Sequence, residues 1–275
     1  MPYNKFLKFK HFLYSKLKQA KSIQRLNQQG VEGIQIAKAF IHTLKGKKNP
    51  EEHQLFDTLN QFRLDLYADH RKISFEEIGS SAEMTVAEVA QRAASPEVWT
   101  HFFYHLSKSN KIHNILEIGT NLGVSGQYFI KALEGKKQAK FTTLEGVKGL
   151  CEIASQRFIT LSDVNRFEVL HGLYDKTLLN IVNKKDRFDL VFIDGNHQYE
   201  STLKYFELLK NNVSSPAFVI FDDINWSSGM RRAWQEICAQ KGIVFSVNFF
   251  KLGLIVFDAN QKGVSQNHYQ LFLSV

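Results

Sequence analysis

From residue 112 onward, short apolar runs alternate with amphipathic stretches, the pattern of a parallel sheet whose strands are joined by crossover helices. Strands are expected at 112–117, 140–145, 167–171, 190–194 and 217–222, with helices in the gaps. The last of these helices starts at Ser227-Ser228 and should bury Met230, Trp234, Ile237 and Cys238. Two further strands, 243–248 and 251–257, are separated by a tight connection. They must pair antiparallel, because a parallel return needs a crossover of about a dozen residues. The expected class is therefore α/β: a doubly wound, seven-stranded sheet that ends in an antiparallel hairpin.

Ahead of the sheet lies a region with a different pattern. Phe6, Phe9, Leu13 and Leu17 recur at helical spacing among Lys5, Lys8, Lys16 and Lys18, which predicts a basic amphipathic helix over 3–18. Further helices are expected over 34–44 and 51–69, separated by the breaker Gly46-Lys47-Lys48-Asn49-Pro50. Gly79-Ser80-Ser81 closes this region, giving a helical segment at 1–78 and a main domain at 79–275. A short helix follows over 84–92, and Ser95-Pro96-Glu97 reads as the start of another, with a hydroxyl cap and a proline in the first turn. Trp99, Phe102, Phe103 and Leu106 then share a face directed at the core. His101 and His105 sit four residues apart, a spacing that can hold zinc, but lack a third ligand nearby and are read as surface or pocket-edge groups.

Composition changes the picture in two places. The formal charge is +8, yet eleven basic residues and a single acid, Glu32, precede Asn49, so the rest of the chain is slightly acidic. A lysine-rich arm suggests an anionic membrane surface or a nucleic acid, although packing on the domain or on a second copy in a homodimer is the favoured reading. The two cysteines, Cys151 and Cys238, have no metal-type spacing. They fit a reducing compartment, and with no apolar run of about 18 residues the expected location is the cytoplasm.

The chemistry is carried by Ile115-Leu116-Glu117-Ile118-Gly119-Thr120-Asn121-Leu122-Gly123-Val124-Ser125, an apolar strand ending in an acid and a glycine turn that opens a helix. A second acid, Glu145, ends the next strand. Two carboxylates at successive strand ends suit a ligand with a cation and a ribose diol and repel a phosphate. That pattern points to S-adenosylmethionine rather than ATP or NAD, whose fingerprint would need a third glycine in this turn. From about Gly79 to Phe257 the chain resembles the class I S-adenosylmethionine-dependent methyltransferases, a Rossmann-like fold. Its motifs are most similar to the metal-dependent O-methyltransferases of the catechol and caffeoyl-CoA type and to the related sugar O-methyltransferases. The resemblance implies that Glu117, Gly119, Thr120, Gly123 and Ser125 hold the methionine end of the cofactor, that Glu145 takes the ribose hydroxyls, and that Gly172 and Asp194 complete the cradle. The class I pattern carries a further glycine where Asn121 stands.

A second constellation joins Phe188-Asp189-Leu190-Val191-Phe192-Ile193-Asp194-Gly195-Asn196-His197 to Phe218-Val219-Ile220-Phe221-Asp222-Asp223. Asp194 and Asp222 end adjacent strands, with Asp223 one step beyond, so three oxygen donors converge and suit magnesium. The same residues can instead be strand-end caps. The family resemblance implies Asp194, Asp222 and Asp223 as metal ligands, with Asp223 in place of an amide, and His197 as the base that deprotonates the acceptor. Histidine, with an ordinary value of about 6.5, can accept a hydroxyl proton near neutrality. Tyr199 and Trp226 are expected to flank the pocket mouth. The implied activity is methyl transfer to a hydroxyl of a small phenolic or sugar acceptor. Two other readings stay open: a nucleic-acid or protein methyltransferase using the basic arm, and a non-catalytic cofactor-binding scaffold. Against the former, Asp194-Gly195-Asn196-His197 stands where adenine and glutamine N-methyltransferases carry Asn/Asp-Pro-Pro-Tyr, so nucleic acid is disfavoured as a partner.

Overall fold

The computed structural model describes residues 5–46 and 49–273. Tyr3 and Asn4 of the first predicted helix, and Lys47 and Lys48 of the predicted breaker, lie outside the described residues. The helices are α1 (Lys5–Leu26), α2 (Gly30–Lys45), α3 (Pro50–Tyr67), α4 (Val86–Ala93), α5 (Glu97–Ser107), α6 (Gly126–Ala132), α7 (Lys148–Ile159), α8 (Tyr174–Lys184), α9 (Tyr199–Leu209) and α10 (Ser228–Cys238). The strands are β1 (Lys72–Ser74), β2 (Glu83–Thr85), β3 (Asn114–Ile118), β4 (Lys140–Glu145), β5 (Phe167–His171), β6 (Phe188–Ile193), β7 (Val213–Phe221), β8 (Ile243–Asn248), β9 (Gly253–Phe257) and β10 (His268–Gln270).

All seven strands expected from the periodicity are present as β3 to β9. The chain falls into two compact units, one formed by Ala39–Thr177 and the other by the residues up to Lys38 together with those from Leu178 onward. In the first, β3, β4 and β5 are neighbours in that order and run parallel. Ile115 and Phe141 share the face covered by α6 and α7, where Phe129, Phe141 and Phe158 meet as an aromatic chain, and Leu116 and Leu144 are buried on the opposite face.

In the second unit the order is β10-β8-β9-β7-β6. Parallel β6 and β7 bring Ile193 opposite Phe221, so the residues that follow each, Asp194 and Asp222, emerge side by side. The hairpin predicted at the end folds β9 antiparallel onto both β7 and β8, with Phe221 and Asn248 both facing Gly253. Ser227 caps α10 by accepting the Met230 N–H at 3.0 Å. Met230, Trp234 and Ile237 are buried as expected, while Cys238 is only half-buried.

Four local expectations change. α1 runs to Leu26, well past the predicted end, because its inner face packs on β10, a strand too short to be read from three residues. β1 and β2 form a small antiparallel pair that the sequence reading left as loop and helix. At the start of α5, Pro96 rather than Ser95 is the capping position and no side chain caps the helix; the Ser95 carbonyl instead accepts from Arg63 at 2.7 Å. His101 and His105 are buried, not surface groups. The His101 ring stacks on Phe56 with centroids 4.1 Å apart, and His105 packs edge-on against the same ring, so α3 covers the face that the isolated spacing left open. The predicted aromatic face of Trp99, Phe102, Phe103 and Leu106 is core.

Candidate active site

Two clusters of polar groups stand at the carboxyl ends of the strands, one in each unit. In the first, Glu117 and Thr143 are directly opposed on β3 and β4. Thr143 donates to one Glu117 oxygen at 2.8 Å, and Ser125, at the mouth of α6, donates to the other at 2.5 Å. Thr120 bonds Thr143 at 2.6 Å, which extends the network into the turn. Glu117 is fully buried, and this pairing is what allows a carboxylate to remain there. The Gly119 and Thr120 N–H groups both donate to the Leu144 carbonyl, at 3.0 and 3.1 Å, tying the turn to β4.

The turn then passes through the left-handed region at Asn121 (φ 49°) and Gly123 (φ 80°). Asparagine tolerates this region better than other side chains, and here its own Oδ1 accepts the Leu122 N–H at 2.7 Å. Gly123 has no such latitude, since a Cβ there would lie 3.0 Å from Ala154 and from the Phe158 ring. Glu145 at the end of β4 accepts from the Asn121 N–H at 2.8 Å on one oxygen and from the Val147 N–H at 3.0 Å on the other, and the Gly146 N–H is also directed at the carboxylate. A carboxylate has about four acceptor positions, so capacity remains for a ribose hydroxyl. Burial raises the Glu145 value above the ordinary carboxylate range, against these N–H donors, which oppose it. Gly146 follows because Ile78 closes over it; a Cβ would meet the Ile78 methyl at 2.6 Å. Gly172 (φ 138°) ends β5 and donates to the Glu145 carbonyl at 2.8 Å.

In the second unit, Asp194, His197, Asp222 and Asp223 are brought together. His197 Nε2 lies 3.3 Å from Asp194 Oδ1, and its Nδ1 lies 4.0 Å from Asp223 Oδ2. The chain reaches this arrangement through consecutive left-handed residues, Asn196 (φ 65°) and His197 (φ 27°), with Asp223 (φ 52°) and Phe250 (φ 77°) on the neighbouring turns. Strain of this kind costs about 1–3 kcal/mol per residue and gathers where a side chain must be aimed. Burial would lower the His197 value, but the bond to Asp194 and the charges of Asp194, Asp222 and Asp223 outweigh it and push it up to about 9. Burial and the nearby Asp194 charge raise Asp222 to about 6, despite the opposing effects of Lys251 and His197.

Lys251 was not anticipated. Its Nζ lies 2.6 Å from both oxygens of Asp222 and 2.7 Å from Asp223 Oδ1. The signal was present, since continuing antiparallel β7 and β9 past the Phe221–Gly253 pair sets Lys251, two residues before β9, beside Asp223, two residues after β7. The Ile224 N–H to Lys251 carbonyl bond, at 3.0 Å, fixes that alignment.

Lys251 also decides whether these residues suit a divalent ion. Asp194, His197 and Asp222 each offer a ligand atom within 4.8 Å of the others, close enough to share one ion. Yet both Asp222 oxygens and one of Asp223 already hold an ammonium, which would stand at ligand distance from the metal and repel it. The arrangement does not fit the metal that the resemblance implies on Asp194, Asp222 and Asp223. Of the residues expected at the pocket mouth, Tyr199 donates to Glu236 at 2.6 Å and accepts from Arg232 at 2.8 Å, joining α9 to α10. Trp226 is part-exposed on the loop before α10.

An α/β sheet with a glycine turn after its first long strand, acids at successive strand ends and a terminal antiparallel hairpin has the layout of the class I methyltransferase fold. Residues 116–224 match the family model described as a methyltransferase domain. An O-methyltransferase from Bacillus cereus, solved with S-adenosylhomocysteine, superposes with a TM-score of 0.56 at 22% identity, covering 80% of this chain and 96% of that one. The methyltransferase PaMTH1 of Podospora anserina, also bound to S-adenosylhomocysteine, gives 0.53 at 15% identity over 74% and 96%. Among curated proteins, R132 of Acanthamoeba polyphaga mimivirus, an uncharacterized protein, is 28% identical over 137 residues. That alignment takes in 45% of this chain and 58% of the relative's length.

Proposed function

We propose that this protein is an S-adenosylmethionine-dependent O-methyltransferase acting on a hydroxyl of a small phenolic or sugar acceptor, with His197 as the base. The observation that carries the proposal is the Asp194–His197 pair at 3.3 Å, aimed by two left-handed residues at the carboxyl end of a methyltransferase-like sheet. The donor brings an electrophilic methyl group on a sulfonium sulfur. Glu145 is suited to the ribose hydroxyls because the carboxylate keeps acceptor capacity while the turn N–H groups hold it in place. The Glu117, Ser125 and Thr143 network fixes the turn against β4.

Methyl transfer needs little covalent help, so most of the acceleration comes from alignment, and a base adds the removal of the hydroxyl proton. Neutral His197 accepts that proton, and Asp194 stabilises the imidazolium that results. Lys251 sets its ammonium against Asp222 and Asp223, so the acidic end of the sheet is balanced by a side chain. No step is assigned to a metal. The test is methyl transfer by the full chain to a panel of catechols and sugars, alongside calorimetry with the donor. His197→Ala should bind the donor normally and turn over at least about 10²-fold more slowly. No heat from S-adenosylmethionine or S-adenosylhomocysteine at millimolar concentration would remove the proposal.

A further inference from the structure

The helix α1 has two unlike faces. On the inner one, His11, Ser15 and Leu26 are buried; His11 Nε2 lies 2.8 Å from the Leu271 carbonyl, and Gln19 accepts the Phe272 N–H at 3.1 Å. The outer face carries the largest run of exposed apolar side chains described in the chain: Phe6 at 71%, Phe9 at 59%, Leu13 at 45% and Leu17 at 85% exposure. At about 100° per residue, these four fall within an arc of about 80°. Exposed Lys5 and Lys16 run along one edge of that arc and exposed Lys10 and Lys21 along the other. No acidic residue occurs in the helix.

We propose that this outward face is a docking surface for a membrane leaflet rich in anionic phospholipid. An apolar stripe exposed on this scale marks an interaction surface. Its chemistry selects the occupant. The phenylalanine and leucine side chains enter the acyl boundary, while the lysine stems lie along it and lift their ammonium groups to the phosphates. A nucleic acid would engage the lysines but leave the stripe in water. A second copy of the same face would bring lysine rows together with no acid to answer them. The inner face stays seated on β10, so the helix lies flat on the bilayer without leaving the fold. Among the described residues no helix is long and apolar enough to cross a membrane, which makes this a surface contact.

The experiment is co-sedimentation of the full chain with vesicles of phosphatidylcholine alone and of phosphatidylcholine and phosphatidylserine in equal parts. The protein should pellet with the anionic vesicles and be released as salt is raised. A double variant, Phe9→Ser with Leu17→Ser, should bind roughly tenfold more weakly or worse, because each change removes a large apolar group from the bilayer boundary. Lys10→Glu with Lys21→Glu should bind anionic vesicles no better than neutral ones. Since all four positions face outward, circular dichroism and the thermal midpoint should match the wild type. Failure of the wild type to pellet overturns the proposal, as does equal binding by the serine variant. A wild-type dimer in light scattering that the serine variant dissolves would give the face to a second copy instead.

Discussion

Replacing Lys251 by methionine keeps the length and apolar stem of the side chain while deleting its charge. In the native protein the ammonium contacts three carboxylate oxygens at 2.6–2.7 Å, and the side chains of Lys251, Asp222 and Asp223 are only 14%, 9% and 16% exposed. Removing one partner of such a pair leaves uncompensated charge in a poorly hydrated place, a loss of about 3–5 kcal/mol. For a chain of this size each kcal/mol moves the melting point by about 2–4 °C, so Lys251→Met should melt roughly 6–20 °C lower near pH 8. The effect must depend on pH in one direction. Asp222 has a folded value of about 6, above that of the unfolded chain, so the folded state holds its proton more tightly and stability falls as pH rises through that window. Without Lys251 the value climbs further and protonation becomes the escape. The deficit should therefore shrink near pH 5, and Asp222→Asn should recover much of it at pH 8. Magnesium should raise the melting point of Lys251→Met but not of the wild type, because only the variant frees the Asp222 oxygens. Thermal scans at the two pH values with and without magnesium are the assay. An equal deficit at both, or magnesium stabilising the wild type as strongly as the variant, would refute the role given to Lys251.

The raised His197 value of about 9 makes neutral imidazole scarce near neutrality, so kcat/KM should rise roughly tenfold per pH unit up to about pH 9 and then level; a profile that is flat or falling would remove His197 as the base. Gly123→Ala places a Cβ 3.0 Å from Ala154 and Phe158 at a left-handed φ, and should cost about 1–3 kcal/mol in urea unfolding and weaken donor binding in calorimetry. Thr143→Val removes the Thr143 hydroxyl bond from buried Glu117, and should destabilise by about 1–3 kcal/mol, with little further loss when Glu117 is changed to Gln in the same chain. Glu145→Gln should weaken S-adenosylmethionine binding in calorimetry and cost about 1–3 kcal/mol in urea unfolding, since its NH2 must replace an oxygen that accepts a backbone N–H.

The sheet was legible because its strands are the chain's apolar runs, and three of them, β4, β5 and β8, coincide with their predicted bounds residue for residue. β10 was not, since His268, Tyr269 and Gln270 carry no periodicity of their own; α1 and β8 supply the burial that makes them a strand. The same difference separates the two halves of the candidate site. Asp194, His197, Asp222 and Asp223 could be named because each follows an apolar run ending at the sheet's carboxyl edge, where period and direction fix position. Thr143 and Lys251 lie outside that rule, although each was one inference away. Thr143 needs the register of β3 against β4, which sets it opposite Glu117, and Lys251 needs the antiparallel hairpin carried two residues past its Phe221–Gly253 pair. One donates a hydrogen bond to a carboxylate and the other sets a cation against two, and a carboxylate at a buried strand end is itself a demand for such a partner. The prediction of acids converging at one edge should therefore have raised the question of what balances them. Magnesium was one answer; a lysine carried on the hairpin is the answer this chain's own strand pairing provides.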